Sequence, residues 1–189
     1  MKPLLPLLKQ HRIKVLLLFL LLGVVIYFSI KEPALKIVDV IDQLPKHATR
    51  TYSKRSLNKI NGIVLHHSAS FGQTAVDYAR YHINKKDPWP AIGYHFVLYP
   101  DGRIEQTNHL DTISYHTGGT NTSKIGICLS GNFEQGKPTK AQLASLKKLI
   151  RYLRRKFPQY LRVSGHRDHG STACPGKHLY PLIQDLQRA

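Results

Sequence analysis

Histidine and cysteine, two residue types that bind transition metals, occur together in one glycine-rich stretch of the sequence. His166 and Cys174 lie within residues 165–176, Gly-His-Arg-Asp-His-Gly-Ser-Thr-Ala-Cys-Pro-Gly. Zinc is bound by imidazole nitrogen and thiolate sulfur, and a catalytic zinc typically keeps three protein ligands and one open position. Such a zinc lowers the pKa of water and polarises a carbonyl, which suits hydrolysis of an amide without a covalent intermediate. The stretch therefore predicts two of the three ligands of a zinc site.

The third ligand must come from elsewhere, and the adjacent pair His66 and His67 is the best candidate. The pair follows the apolar run 62–65, Gly-Ile-Val-Leu, which predicts a strand. Neighbouring side chains on a strand point to opposite faces, so only one of the two histidines can turn toward a shared metal. The pattern by itself does not say which one.

Four motifs in a fixed order make a more specific pattern. They are Ile-Val-Leu-His-His-Ser-Ala at 63–69, Gly-Tyr-His-Phe at 93–96, Ser-Lys-Ile-Gly-Ile at 123–127 and the stretch 165–176. With these motifs the chain resembles the zinc-dependent N-acetylmuramoyl-L-alanine amidases (amidase type 2), a family that includes a small phage lysozyme and the animal peptidoglycan recognition proteins. The resemblance covers roughly residues 60 to 188.

The resemblance implies a ligand set and a reaction. In the family, the ligand of the first motif is the histidine directly after the apolar strand, which makes His66 the ligand and leaves His67 on the opposite face. His66, His166 and Cys174 would then hold one Zn²⁺ ion. The implied activity is hydrolysis of the amide between the lactyl group of N-acetylmuramic acid and L-alanine. The implied partner is peptidoglycan or a soluble muropeptide.

The resemblance also implies roles for four polar residues. Tyr94 matches the tyrosine that the family needs for amidase activity, and its hydroxyl would donate to the oxyanion that develops during hydrolysis. Thr172 stands where catalytic recognition proteins also have threonine and the phage lysozyme has lysine, and it would donate to water or to the substrate carbonyl. His116 and Asn121, in a segment near the substrate groove of relatives, are predicted substrate contacts.

Two other functions match parts of the same pattern. Several recognition proteins of the family lose the cysteine ligand and bind wall fragments without cutting them, whereas this chain retains all three ligands and Tyr94. The first alternative is therefore a non-catalytic protein that binds peptidoglycan. The second is a phage-type lysin that its hydrophobic N-terminus retains at the membrane.

The chain is strongly basic, since 28 lysines and arginines against 11 aspartates and glutamates give a formal net charge of +17. A basic surface attracts polyanions. The sequence carries no helix-turn-helix, RNA-recognition or zinc-finger pattern, so no nucleic-acid partner is expected and the anionic bacterial envelope suits the motifs better. A disulfide between Cys128 and Cys174 is one interpretation of the two cysteines. A buried Cys128 thiol and a metal-bound Cys174 are favoured instead.

The N-terminal part predicts a membrane anchor. Residues 1–14 are basic, and residues 15–30 form an uncharged, mostly apolar run. Spanning a bilayer takes about 20 such residues, with a lower limit of about 17. Because no cleavage site of the Ala-x-Ala type follows, the run predicts an uncleaved transmembrane signal-anchor rather than a signal peptide. The positive-inside tendency would place the basic start in the cytoplasm and the catalytic domain outside, in the periplasm or at the cell surface. Because positive charge follows the run as well, this orientation rests partly on the resemblance to the amidases.

Residues 31–59 are predicted to form a basic tether, and residues 60–189 the zinc amidase domain. The apolar patch 37–41 within the tether is either a strand or helix docked at the domain edge, or part of a stalk. The domain is expected to be α/β, with a central mixed sheet flanked by helices. Strands are expected at 62–67, 93–99, 103–106, 124–130 and 161–165, and helices at 74–86, 139–157 and 181–188. The pattern predicts no oligomeric state.

Overall fold

The computed structural model describes residues 14–21 and 34–188. Contacts divide the chain into two compact units between Ala34 and Leu35. In the first unit, residues 14–21 form a helix, α1. Within the two described ranges, no helix is both long enough and apolar enough to cross a membrane. Residues 22–30 of the expected membrane segment lie outside the described residues, so the signal-anchor stays a prediction.

The second unit contains a six-stranded mixed sheet with the strand order β1-β4-β3-β5-β2-β6. The strands are β1 (Ile37–Asp39), β2 (Gly62–His67), β3 (Phe96–Leu98), β4 (Ile104–Gln106), β5 (Lys124–Leu129) and β6 (Arg162–Gly165). β3 and β4 form an antiparallel hairpin, and the other neighbouring strands are parallel. The prediction of one α/β domain around a mixed sheet is confirmed.

Helices cover both faces of this sheet. They are α2 (Ala75–Asn84), α3 (Lys140–Lys156) and the short α4 (Ile183–Leu186). Both long helices begin with a capping box, in which Thr74 pairs with Asp77 and Thr139 with Gln142. Leu146, Leu149, Ile150 and Leu153 of α3 are fully buried against one sheet face, and α2 packs on the other face. The closing helix is shorter than the predicted 181–188, since a 3₁₀ helix at Tyr180–Leu182 precedes it.

The segment before β2 is more ordered than the predicted tether. β1 pairs in parallel with β4, with Ile37 beside Ile104. Three side chains that follow β1 are buried, those of Val40, Ile41 and Leu44. A strand docked at the domain edge was one of the two alternatives for the patch 37–41, and the structure shows that strand. The domain therefore begins near Leu35, because residues 35–59 cover apolar sheet surface that a stalk would leave exposed.

The parallel strands bring the metal-binding residue types to one edge. β5, β2 and β6 lie side by side, and His66 of β2 stands opposite Cys128 of β5. β6 ends at Gly165, directly beside Leu65. His66 directly follows Leu65 and His166 directly follows Gly165, so both histidines lie at the carboxyl end of the sheet. In open α/β sheets this is the edge where ligands bind.

Candidate metal centre

One group of three donor atoms lies at this edge. The ligand atoms of His66, His166 and Cys174 all fall within 4.8 Å of one another, and Cys174 Sγ lies 3.6 Å from His66 Nδ1. Tetrahedral zinc with Zn–S of about 2.3 Å and Zn–N of about 2.0–2.1 Å sets sulfur and nitrogen about 3.5 Å apart. The donor set therefore fits zinc in both type and spacing, and it could hold a metal ion.

The structure resolves the choice between the paired histidines. His66 lies on the sheet face that packs against α2, opposite Cys128, and is 1% exposed. His67 points to the face covered by α3, where its Nδ1 accepts a hydrogen bond of 3.1 Å from the backbone amide of Phe133. The alternation of a strand separates the two side chains, as expected. His66 joins the donor group and His67 does not.

A hydrogen-bonded chain behind His66 sets which of its nitrogens faces the metal position. His116 Nε2 lies 3.3 Å from the carbonyl oxygen of Lys124, which can only accept, so this nitrogen carries the proton. His116 Nδ1 is then an acceptor, and it lies 3.2 Å from His66 Nε2. His66 therefore donates through Nε2 and keeps the lone pair on Nδ1, the atom nearest Cys174. Metal-binding histidines usually donate through their other nitrogen in this way.

His116 fits behind His66 because β5 has a glycine there. A Cβ atom on Gly126 would lie 2.5 Å from the His116 ring, a contact that side chains do not make. His116 is 5% exposed. Sequence reasoning predicted a substrate contact at this position, and the structure adds a direct contact with a metal-ligand candidate. The signal that could have pointed to it is the glycine in the middle of an apolar strand.

Burial controls the protonation of the donor group. It lowers the pKa of His66 well below the usual histidine range, and the nearby His116 and His166 lower it further. The pKa of His166 is also lowered by burial, so both imidazoles are neutral, the form that binds metal. Burial raises the pKa of the Cys174 thiol to about 11. A metal must therefore displace a proton from this sulfur. Cys128 is fully buried, and neither cysteine forms a disulfide.

The loop from His166 to Cys174 is closed by its own backbone. The amide of Arg167 donates to the carbonyl oxygen of Cys174 at 2.9 Å. The guanidinium of Arg167 also bonds the carbonyl of Ala173 and lies 3.5 Å from the Glu134 carboxylate. These contacts join the two ends of the loop, so a histidine and a cysteine that are eight positions apart present their donor atoms together.

Tyr94 has a fixed backbone beside this group. Its carbonyl oxygen accepts from Thr107 Oγ1 at 2.8 Å and from Asn108 Nδ2 at 2.6 Å. The preceding amide, of Gly93, donates to His82 Nδ1 at 3.2 Å. The backbone amide of Gly93 and the carbonyl of Tyr94 are thus bonded to side chains and not to a neighbouring strand. This explains why β3 begins later than the predicted 93.

The phenol of Tyr94 lies at the metal pocket and stays protonated. Its ring centre is 5.3 Å from that of His66. Burial raises the pKa of Tyr94 well above its usual value, and the nearby Cys128 and Cys174 raise it further. The hydroxyl is therefore a hydrogen-bond donor at neutral pH.

The two remaining predicted residues differ in position. One pocket of about 410 Å³ contains the three metal-donor residues in its lining, together with Tyr94, His116 and Thr172. Thr172 is exposed there, and its Oγ1 accepts from the Cys174 amide at 3.2 Å. Asn121 does not line this pocket. Its Oδ1 accepts from the Thr117 amide at 2.7 Å, which stabilises the loop that carries His116.

Arg55 is a structural residue that sequence reasoning missed. It is 6% exposed, and its guanidinium donates to the carbonyl oxygens of Leu110, Asn121 and Lys124. Burial lowers the pKa of Arg55 to about 10. These bonds fix both ends of the loop that holds His116. A single arginine in a basic stretch gives no sequence signal for such a role.

Comparisons with known proteins agree with this geometry. Residues 56–177 match the family model of the N-acetylmuramoyl-L-alanine amidases. The chain is 31% identical over 106 residues to an endolysin of Enterobacteria phage K11, covering 53% of this chain and 70% of the endolysin. It is similar to the solved N-acetylmuramoyl-L-alanine amidase LysC from Clostridium intestinale, with 30% identity, a TM-score of 0.67 and coverage of 83% and 97% of the two chains.

A solved complex of peptidoglycan recognition proteins is as similar to this chain as the amidase is. The solved structure of tracheal cytotoxin bound to the ectodomains of peptidoglycan recognition proteins LCa and LCx aligns with a TM-score of 0.70 at 30% identity. The alignment covers 78% of this chain and 94% of that one. The fold is thus shared by proteins named for cutting peptidoglycan and by proteins named for recognising it.

Proposed function

The chain belongs to the N-acetylmuramoyl-L-alanine amidase family, and we propose that it is a zinc-dependent enzyme that hydrolyses the amide between N-acetylmuramic acid and L-alanine in peptidoglycan. The observation that carries this proposal is the set of three zinc-type donor atoms within 4.8 Å of one another, in one pocket with a protonated phenol. Metal, hydrogen-bond donor and space for a substrate are the parts that metal-assisted amide hydrolysis requires.

The residues that would hold zinc are His66 through Nδ1, His166 and Cys174. When bound, zinc supplies a Lewis acid that polarises the scissile carbonyl and lowers the pKa of water. His116 keeps the His66 lone pair directed at the metal position by accepting from Nε2. His66 is buried in the pocket wall, where electrostatic interactions are stronger than in bulk water.

Tyr94 would stabilise the charge that develops on the carbonyl oxygen. A hydrogen-bond donor held in advance contributes roughly 10²- to 10³-fold in rate, and the backbone contacts of Tyr94 hold it in this way. The oxygen of Thr172 already accepts from a backbone amide, which leaves its O–H proton free to donate to the substrate. We therefore assign Tyr94 the larger contribution and Thr172 the smaller one.

A recognition protein that binds peptidoglycan without cutting it is the second candidate. The similarity to the recognition ectodomains supports it. The retained Cys174 thiol, 3.6 Å from His66 Nδ1, favours hydrolysis, because a module that only binds needs no third metal ligand. A phage-type lysin would use the same chemistry, so it differs in biological setting and not in mechanism.

We also propose that the domain works outside the cytoplasm, held by a membrane anchor over residues 15–30. The uncharged run and the basic residues before it support this placement. Protease treatment of intact cells or spheroplasts tests it, since an anchored external domain is digested and a cytoplasmic one is protected.

The test of the reaction uses the full chain with its bound zinc quantified. Purified peptidoglycan is incubated with the protein, with and without a chelator, and newly freed α-amino groups on alanine are measured. We expect zinc-dependent release that falls roughly 10²- to 10³-fold in Tyr94→Phe. Tyr160→Phe is the matched control, because Tyr160 is exposed and lines neither pocket that contains Tyr94. Stoichiometric zinc and wall binding without new alanine termini would reject the enzyme and leave the recognition protein.

A further inference from the structure

A second pocket, of about 540 Å³, lies along the edge strand β6 and the closing segment 180–187. Lys124 of β5, Arg162 of β6 and Ser164 of β6 line it. The strand register aligns Lys124, Gly62 and Arg162 in one row across the sheet. Gly62 and His66 are four residues apart on β2, so this row faces the same side as His66. The volume is within the range of small-molecule sites, about 300–1,000 Å³.

Gly62 allows the two cations of this row to approach each other. A Cβ atom on Gly62 would lie 2.8 Å from Lys124 Nζ and 3.0 Å from its Cδ. The lysine side chain therefore passes over β2 toward β6, where Arg162 begins the neighbouring strand. Lys124 Nζ donates to Asn61 Oδ1 at 2.7 Å, and an ammonium group has further protons to donate. Burial and the charge of Arg162 both lower the pKa of Lys124.

The pocket has one carboxylate, and that group is already engaged. Asp168 accepts from the Gly165 amide at 2.8 Å and from the Tyr180 hydroxyl at 2.5 Å. The other polar side chains of the lining are neutral: Gln184, Gln187 and the pair Ser164 and His169, whose Oγ and Nε2 are 2.8 Å apart. Burial lowers the pKa of His169, so it adds no charge at neutral pH. Two cations and one occupied carboxylate leave the pocket selective for an anion.

Two segments of the chain contribute residues to both the pocket and the metal centre. Asp168 and His169 follow the candidate ligand His166 in the same turn. On the other side, the carbonyl of Lys124 accepts from His116, which contacts His66. His66 and the row at Gly62 are four strand residues apart, about 13 Å, a distance that an extended peptide of about four residues spans. A peptide whose amino end is linked to a sugar still has a free carboxylate at its other end.

We propose that Lys124 and Arg162 bind a carboxylate of the peptide whose sugar-linked amide lies at the metal centre. This inference rests on the proposed function and adds to it the position of a second substrate contact. Lysine and arginine form charge-assisted hydrogen bonds with carboxylates, and these are stronger than neutral ones. The contact would select peptides with a free acid over peptides with an amide at that position.

The test compares a soluble muramyl peptide with the same molecule after its carboxylates are amidated. The full chain is assayed as Lys124→Gln/Arg162→Gln beside a matched control, Lys147→Gln/Arg155→Gln, which also removes one lysine and one arginine. The control residues are exposed on α3 and do not line the pocket. In the unaltered chain we expect the free acid to have a KM about 10-fold lower than the amide. The pocket variant should lose this preference with kcat and bound zinc unchanged, and the control should keep it.

Other results would overturn the proposal. A preference that survives in the pocket variant, or is lost equally in the control, rejects a role for these two cations. If the chain hydrolyses nothing, calorimetric binding of the two peptides replaces KM, and the same loss of preference still supports the pocket. Binding of inorganic phosphate that depends on Lys124 and Arg162, with no preference between the peptides, would assign the pocket to a phosphate-bearing polymer and reject the carboxylate.

Discussion

The two faces of the sheet use the same strands for different purposes. Toward α3, β5 presents Ile125, Ile127 and Leu129, all fully buried in one apolar cluster. Toward α2, the same strand presents Gly126 and Cys128. The strand period of two residues therefore separates apolar packing from chemistry within a single segment.

This difference appears in the ionisable groups as well. On the α3 face β2 places one buried histidine, His67, beside the apolar cluster. On the opposite face His66, His95 and His116 are buried, and burial lowers the pKa of each. Neutral buried histidines need partners for both ring nitrogens, and the hydrogen bonds around His116 supply them. Stability and reactivity can thus be changed separately by substitutions on opposite faces.

The largest expected effect comes from the adjacent histidines on opposite faces. His66→Ala should abolish stoichiometric zinc binding and lower activity by more than about 100-fold, since even the outer-shell partners of metal ligands cost about 10- to 100-fold. His67→Ala should keep its zinc, because its nitrogen bonds the Phe133 amide instead. Zinc content by atomic absorption and the rate of alanine release measure both. Equal zinc loss in the two variants would contradict the division between the faces.

The apolar face should respond in stability alone. Leu149 of α3 is fully buried, and Leu149→Ala should lower the free energy of unfolding by about 2–5 kcal/mol. Leu143→Ala is the matched control on the same helix, since Leu143 is only partly buried and should cost less. Urea denaturation gives the free energies. At a temperature where the variant stays folded, its zinc content and KM should match those of the unaltered chain.

The face that carries the site should be the acid-sensitive one. Burial lowers the pKa of His82 to about 4 from 6.5, and His82 is 6% exposed. Between pH 6.5 and pH 4, His82 is protonated in the unfolded state but stays neutral in the folded state. Protonation therefore favours the unfolded state, and the free energy of unfolding falls as the pH drops through this range. The loss from this group is at most about 3 kcal/mol. Denaturation at pH 7 and pH 4.5 should show a smaller difference in His82→Gln, and an unchanged difference would assign the acid sensitivity to other groups.

Local sequence signals predicted the elements whose causes are local. The strand predicted at 62–67 and the helix predicted at 139–157 both occur where the pattern placed them, the helix as Lys140–Lys156. The docking of β1 could not be chosen over a stalk, because it depends on pairing with β4 about 67 positions away. Arg55 was missed for a similar reason, since a buried and an exposed arginine are identical in a sequence.

The candidate site also has features that the sequence predicts and features that only the structure shows. The donor types and their grouping were predictable, because imidazole and thiolate chemistry is a property of the residues. The choice of Nδ1 on His66 was not, since it depends on a carbonyl of Lys124 acting through His116. Sequence reasoning therefore finds the groups that react, and the structure supplies the contacts that orient them.

The smallest expected effect concerns the exposed loop between the two ligands. Thr172 can contribute one neutral hydrogen bond, so Thr172→Ala should lower kcat by roughly 3- to 10-fold. Its oxygen also accepts from the Cys174 amide at 3.2 Å, so loss of that bond alone would weaken zinc binding instead. Measuring zinc affinity beside kcat separates the two roles. Ser171→Ala, at an exposed neighbour outside the pocket lining, is the control and should change neither. A fall in zinc affinity with kcat unchanged would make Thr172 a residue that positions the ligand loop and not one that contacts the substrate.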